Sequence, residues 1–89
     1  MAELFGVLSD PSRLRLLMDL QAHDELCVTD LAREAGISES AVSHALGRLR
    51  AQGIVETRRQ GRWVFYSLAD EHVRVLLRAT VEHLERDHG

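Results

Sequence analysis

The 89-residue sequence predicts a mainly α-helical domain that carries one β-hairpin. Three observations predict it. Over most of the chain, apolar residues recur at the three-and-four spacing of an amphipathic helix. Between Ile54 and Tyr66 that pattern gives way to two β-prone runs, Ile54, Val55 and Thr57, then Trp63-Val64-Phe65-Tyr66. Glycines at positions 36, 53 and 61 fall where one pattern stops and the next begins.

Taken in order, Ser9-Asp10-Pro11-Ser12 marks a helix boundary, with capping side chains and a proline suited to the first turn. A short helix is expected before it. After it, Leu14, Leu17 and Met18 share a stripe that Leu16 and Leu20 widen, and His23-Asp24-Glu25 is a polar break. Val28, Leu31, Ala32 and Ala35 predict a short helix that starts near Thr29 or Asp30 and ends at Gly36. Ser38 is a good N-cap for the next helix, and Glu39 suits the positive end of its dipole. Ala41, Val42, Ala45, Leu46 and Leu49 give that helix its apolar face, and Gly53 stops it. Gln60-Gly61 is the expected hairpin turn. Val73, Leu76, Leu77, Thr80, Val81 and Leu84 then mark a long last helix. The expected order is four helices, two strands and a helix. Residues 1–89 form one domain, with a two-helix unit over about 28–51, the hairpin over about 54–68 and the last helix over about 70–87.

Composition narrows the class. At 45% hydrophobic residues the chain predicts a globular domain. No stretch approaches the roughly 18–20 apolar residues needed to span a bilayer, so no membrane partner is expected. The first residues, Met1 to Gly6, have no basic n-region or cleavage pattern. The single cysteine, Cys27, can form no intrachain disulfide. A cytoplasmic protein is the expectation. Net charge is −3, but it is unevenly placed. Residues 1–40 carry three arginines against eight acids, residues 41–68 five against one, and residues 69–89 three against five, giving −5, +4 and −2. A basic middle between acidic ends is the footprint that phosphate binding requires. There is no nucleophile–base set, so an enzyme is not expected.

Two short helices joined by Ala35-Gly36-Ile37-Ser38, followed at once by a hairpin whose tip is flanked by Arg58, Arg59 and Arg62, form a winged helix-turn-helix pattern. The second helix of such a unit enters the major groove with its N-terminal residues towards the base edges. Here those are Ser38, Glu39, Ser40, Ser43 and His44, whose hydroxyls and imidazole suit phosphate and base contacts. Arg48 and Arg50 lie further along, towards phosphates or solvent. The wing arginines reach the backbone or the adjacent minor groove. The expected partner is double-stranded DNA, with Ser38, Ser40, Ser43, His44, Arg48, Arg59 and Arg62 as its contacts.

The last helix carries a second signal. His72 and His83 are three helical turns apart, so they share a face. They also lie about 16 Å apart at ~1.5 Å of rise per residue, too far for one metal ion to bridge. A site using both takes His72 from one chain and His83 from another, across antiparallel helices. A two-fold homodimer makes two such sites. The stripe from Val73 to Leu84 is the expected dimer surface, together with the first helix.

Four segments resemble the ArsR/SmtB family of metal-responsive repressors: Leu8 to Leu17, Glu25 to Ala32, Ser40 to Leu49 and Gly61 to Leu68. The resemblance covers nearly the whole chain. It implies a homodimeric winged-helix repressor that releases operator DNA when metal binds. It also implies two metal patterns. In the thiolate pattern, Cys-Val-Cys-Asp-Leu, this chain has Thr29 in place of the second cysteine. In the last-helix pattern, Asp-x-His, ten residues, then His-x-x-Glu or His-x-x-His, Asp70, His72 and His83 match, while Arg86 stands at the fourth position and cannot ligate. Asp87, four residues after His83, is the first candidate to replace it, with Glu82, Glu85, His88 or a water as weaker options. Carboxylate and imidazole donors suit Zn²⁺, with Ni²⁺ or Co²⁺ as alternatives. Competing readings are a regulator of the same fold answering redox chemistry at Cys27 or no effector, and a protein-interaction module.

Overall fold

The computed structural model describes residues 10–88, apart from the side chains of Leu84, Asp87 and His88. The elements run α1 (Pro11–His23), β1 (Glu25–Cys27), α2 (Val28–Ala35), α3 (Glu39–Ala51), β2 (Val55–Gln60), β3 (Trp63–Leu68) and α4 (Glu71–His88). The helix expected before Ser9 lies outside the described residues. No described helix is long and apolar enough to cross a membrane.

Local chemistry starts the helices where the sequence places their caps. Asp10 accepts the backbone N–H groups of Ser12 and Arg13, with Pro11 in the first turn. The Ser38 hydroxyl oxygen accepts the Ala41 N–H at 3.1 Å, and Asp70 Oδ1 accepts the Val73 N–H at 2.9 Å. Each satisfies a donor that the first helical turn leaves without a partner. Gly36 closes α2 in the left-handed conformation at φ +70°, its N–H donating to the Ala32 carbonyl. That glycine sets the turn between α2 and α3.

The sequence predicted two strands; the sheet has three, antiparallel, in the order β1-β3-β2. The extra strand is Glu25–Cys27, which begins inside the expected polar break. Glu25 pairs with Ser67, Leu26 with Tyr66 and Cys27 with Phe65. The chain reaches β1 through Asp24, at φ +63°. Helix α2 therefore starts at Val28, with Cys27 rather than Thr29 or Asp30 at its cap. The hairpin loop is Gly61-Arg62, one residue later than Gln60-Gly61, because Gln60 still pairs with Trp63. Gly61 supplies the positive φ, +61°, at the first loop position.

Leu16, Leu17 and Leu20 of α1, Leu31 of α2, Val42, Leu46 and Leu49 of α3 and Leu77 of α4 are fully buried in one core. Ile54, Val55, Leu68 and Val73 close it. One expectation is corrected here: Val73 and Leu77 fill this chain's own core and are not available to a second chain. Leu76 and Val81 pack against the same core. The exposed side of α4 instead carries His72, Val75, Ala79 and His83. Asp19 is the one buried charged group among the described residues. Arg15 Nε donates to both its carboxylate oxygens at 3.2 and 3.3 Å, and Arg15 also donates to the Glu34 carbonyl at 2.8 Å. Those bonds compensate the burial and tie α1 to the end of α2.

Candidate nucleic-acid interface and effector site

Helix α3 is anchored through Val42, Leu46 and Leu49, with Ala45 packed beside them, which leaves its polar residues outward. Ser38, Ser40, Ser43, His44 and Arg48 are all exposed, as a reading face requires. Ser38 has its oxygen committed to the helix cap but keeps its O–H to donate. Glu39 is drawn aside: the Thr29 hydroxyl donates to its Oε1 at 3.3 Å, bridging the two helices of the unit.

The wing divides its arginines between two roles. Arg59 and Arg62 are exposed, Arg62 in the loop itself. Arg58, expected to face DNA with them, is spent within the molecule. Its Nε and one terminal nitrogen donate to the two Glu25 oxygens at 3.2 and 2.6 Å. Its other terminal nitrogen donates to Gln60 at 2.9 Å, and the guanidinium lies 4.9 Å from the Phe65 ring centroid. Arg58 thus clasps β2 across β3 to β1. The hydrogen bond from Arg58 holds the Glu25 carboxyl below its usual range, and Glu25 raises Arg58 in turn. Sequence reading missed this clasp, since Glu25 lies 33 residues away.

Cys27 is buried, and its thiol donates to Asp30 Oδ2 at 3.2 Å. It lines a shallow hollow with Thr29 and the exposed Trp63, with no second thiol in the chain. The soft-metal thiolate pattern is not assembled.

On α4, Asp70 and His72 stand exposed at the first turn and His83 is exposed three turns on. The side chain of Asp87 lies outside the described residues. Among the described residues, no group of three or more His, Cys, Asp or Glu gathers in a metal-binding arrangement within one chain. The donors present still fit a borderline metal ion as two half-sites. Asp70 keeps Oδ2 outside its capping bond, and exposed imidazoles stand at both ends of one helix face.

A recognition helix with an outward polar face, preceded by a scaffold helix and followed by an arginine-tipped hairpin, defines a winged helix-turn-helix regulator of transcription. A family model described as bacterial regulatory protein, arsR family, matches residues 10–57. The chain is 58% identical over 85 residues to a transcriptional repressor SmtB homolog of Synechocystis sp., covering 96% of this chain and 64% of that one. It is 45% identical over 87 residues to the HTH-type transcriptional regulator NmtR of Mycobacterium tuberculosis, covering 98% and 72%. The crystal structure of the AntR antimony-specific transcriptional repressor aligns with a TM-score of 0.85 at 37% identity, over 98% of this chain and 78% of that one. The chain belongs to the ArsR family of bacterial regulatory proteins. It spans just under two thirds of the length of the Synechocystis relative.

Proposed function

We propose that this chain is a homodimeric, cytoplasmic transcriptional repressor that leaves its operator when a metal ion, zinc in the first instance, joins its two α4 helices. The observation that carries the proposal is the exposed polar face of α3, set beside the exposed Arg59 and Arg62 of the wing. Ser40, Ser43 and His44 read base edges, while Ser38, Arg48, Arg59 and Arg62 hold phosphates. Counterion release from those phosphates supplies most of the affinity.

The exposed Val75 and Ala79, flanked by His72 and His83, form the α4 part of the dimer surface. Across an antiparallel pair, Asp70 and His72 of one chain meet His83 of the other, with Asp87 in place of the fourth ligand that Arg86 cannot supply. Carboxylate and imidazole donors select zinc over the soft ions that thiolates take. Bound there, the ion supplies a rigid link between the chains. The residues that hold it fix the angle of the two α4 helices and so the separation of the two α3 helices. A dimer reads two half-sites only when that separation matches about 34 Å, one turn of DNA. Coupling of this kind is typically ~1–3 kcal/mol and reciprocal, so operator DNA weakens zinc binding by the same factor.

The test is binding to duplex DNA from the chain's own upstream region, with zinc, nickel, cobalt or chelator. Zinc should release the wild type and leave His83→Ala bound. Full zinc-induced release of His83→Ala would place the effector site elsewhere. Failure of the wild type to bind the duplex would remove the repressor reading.

A further inference from the structure

The start of α1 faces the recognition helix. Asp10, Ser12 and Arg13 from α1 and Ser40, His44 and Arg48 from α3 line one open cleft of about 530 Å³. The α3 side of this cleft belongs to the proposed DNA-contacting set. The α1 side was legible in the sequence only as a helix boundary.

Charge decides what the cleft accepts. Two arginines and one aspartate line it, so the balance of its arginines and acids is positive. Asp10 is already occupied: its Oδ1 takes the Ser12 N–H at 2.9 Å and the Arg13 N–H at 3.3 Å. Its Oδ2 lies 3.9 Å from Arg13 Nε. At 3.9 Å that contact is an ion pair and not a hydrogen bond, so it sets the guanidinium beside the cleft without using its N–H donors. The Arg13 side chain is only 22% exposed, so packing restricts its rotamers and lowers the ordering cost of meeting an anion. Ser12 and Ser40 add hydroxyl donors.

We infer that this cleft seats a backbone phosphate of the DNA, on the flank of the groove that α3 enters, with Arg13 and Arg48 as its cations and Ser12 and Ser40 as donors. The inference rests on the DNA-binding reading above and adds α1 to the interface. Its occupant is the DNA backbone because the cleft continues the exposed α3 face without a break. Contacts of this type fix the register of a protein on its duplex without reading sequence. Asp10 works against the phosphate while it caps α1, so two variants should act in opposite directions. Arg13→Gln removes a cation. Asp10→Asn removes an anion but keeps the capping oxygen, since asparagine caps as well as aspartate.

The experiment follows fluorescence anisotropy of a labelled mixed-sequence duplex of about 30 bp from about 50 to about 200 mM salt. Mixed sequence suffices, because a phosphate contact is indifferent to bases. Arg13→Gln should weaken binding several-fold at the lowest salt and flatten the plot of log K against log salt by about 0.9 for each chain bound. Asp10→Asn should tighten binding under the same conditions. A wild-type slope for Arg13→Gln would overturn the inference. So would weaker binding by both variants, which is the signature of a damaged α1 start. If wild-type protein fails to bind the duplex at all, the DNA-binding reading falls and this inference with it. If the wild type binds and Arg13→Gln matches it, only this inference falls.

Discussion

Asp70 is given two duties, and one pair of substitutions separates them. Its Oδ1 accepts the Val73 N–H at 2.9 Å and so caps α4, while the proposed metal site uses its carboxylate. Asparagine keeps an acceptor oxygen in the same place but loses the charge; alanine loses both. Removing a side-chain N-cap costs about 1 kcal/mol. For a domain of this size that shifts the thermal midpoint by about 4–8 °C. In chelator, Asp70→Ala should therefore melt several degrees below wild type, and Asp70→Asn should stay within a degree or two of it. Zinc should part the variants differently. Losing an outer-shell partner already costs about tenfold in metal affinity, so both variants, lacking a direct ligand, should lose at least that much. Circular dichroism melts at one fixed protein concentration give the first reading. Competition against a chromogenic chelator gives the second. If Asp70→Asn melts as low as Asp70→Ala, the cap is misassigned. If either variant binds zinc as wild type does, Asp70 is not a ligand.

Other outcomes are expected. Leu77→Ala should destabilise the fold by about 2–5 kcal/mol in urea, because the side chain is fully buried within one chain; near-wild-type stability would return Leu77 to a surface role. Arg59→Ala and Arg62→Ala should weaken DNA binding of every sequence and flatten its salt dependence, whereas Ser43→Ala with His44→Ala should reduce preference for the operator over unrelated duplex. An unaltered salt slope in the wing variants would contradict their phosphate role. The Arg58 clasp carries a pH signature. Glu25 has its folded pKa below the ordinary 4.5, so the stability it contributes is complete above that value and is lost as pH falls through the lowered one. The gap in stability between wild type and Glu25→Gln should accordingly be constant at neutral pH and close in acid. A gap that instead widened below pH 4.5 would disprove the assignment.

What the sequence made legible was what short stretches decide. The caps at Asp10 and Ser38 act on N–H groups two or three residues away, and each is found in place. Strand β1 is three residues long, and its conformation comes from pairing with β3 some forty residues later, so no local pattern could announce it. The α4 stripe was recognised as buried, but periodicity says that a face is covered and not what covers it. Val73 and Leu77 turned out to be buried in the core of the same chain, where α4 meets α1 and β3. Counting arginines located the basic region, yet not which one a distant carboxylate would claim. Arg58 and Glu25 had to be brought together by β3 before that pair existed.

Cys27 is at once the last residue of β1 and the residue from which α2 starts. No slack chain separates the strand that bonds the wing from the helix that supports α3. Bending one against the other would break the ladder of β1 on β3 or the Glu25–Arg58 pair. Each chain therefore meets its target as a single stiff reading head. In the proposed dimer, a signal arriving at α4 would find no joint inside that head to work on, and its leverage would act where one head is mounted against the other.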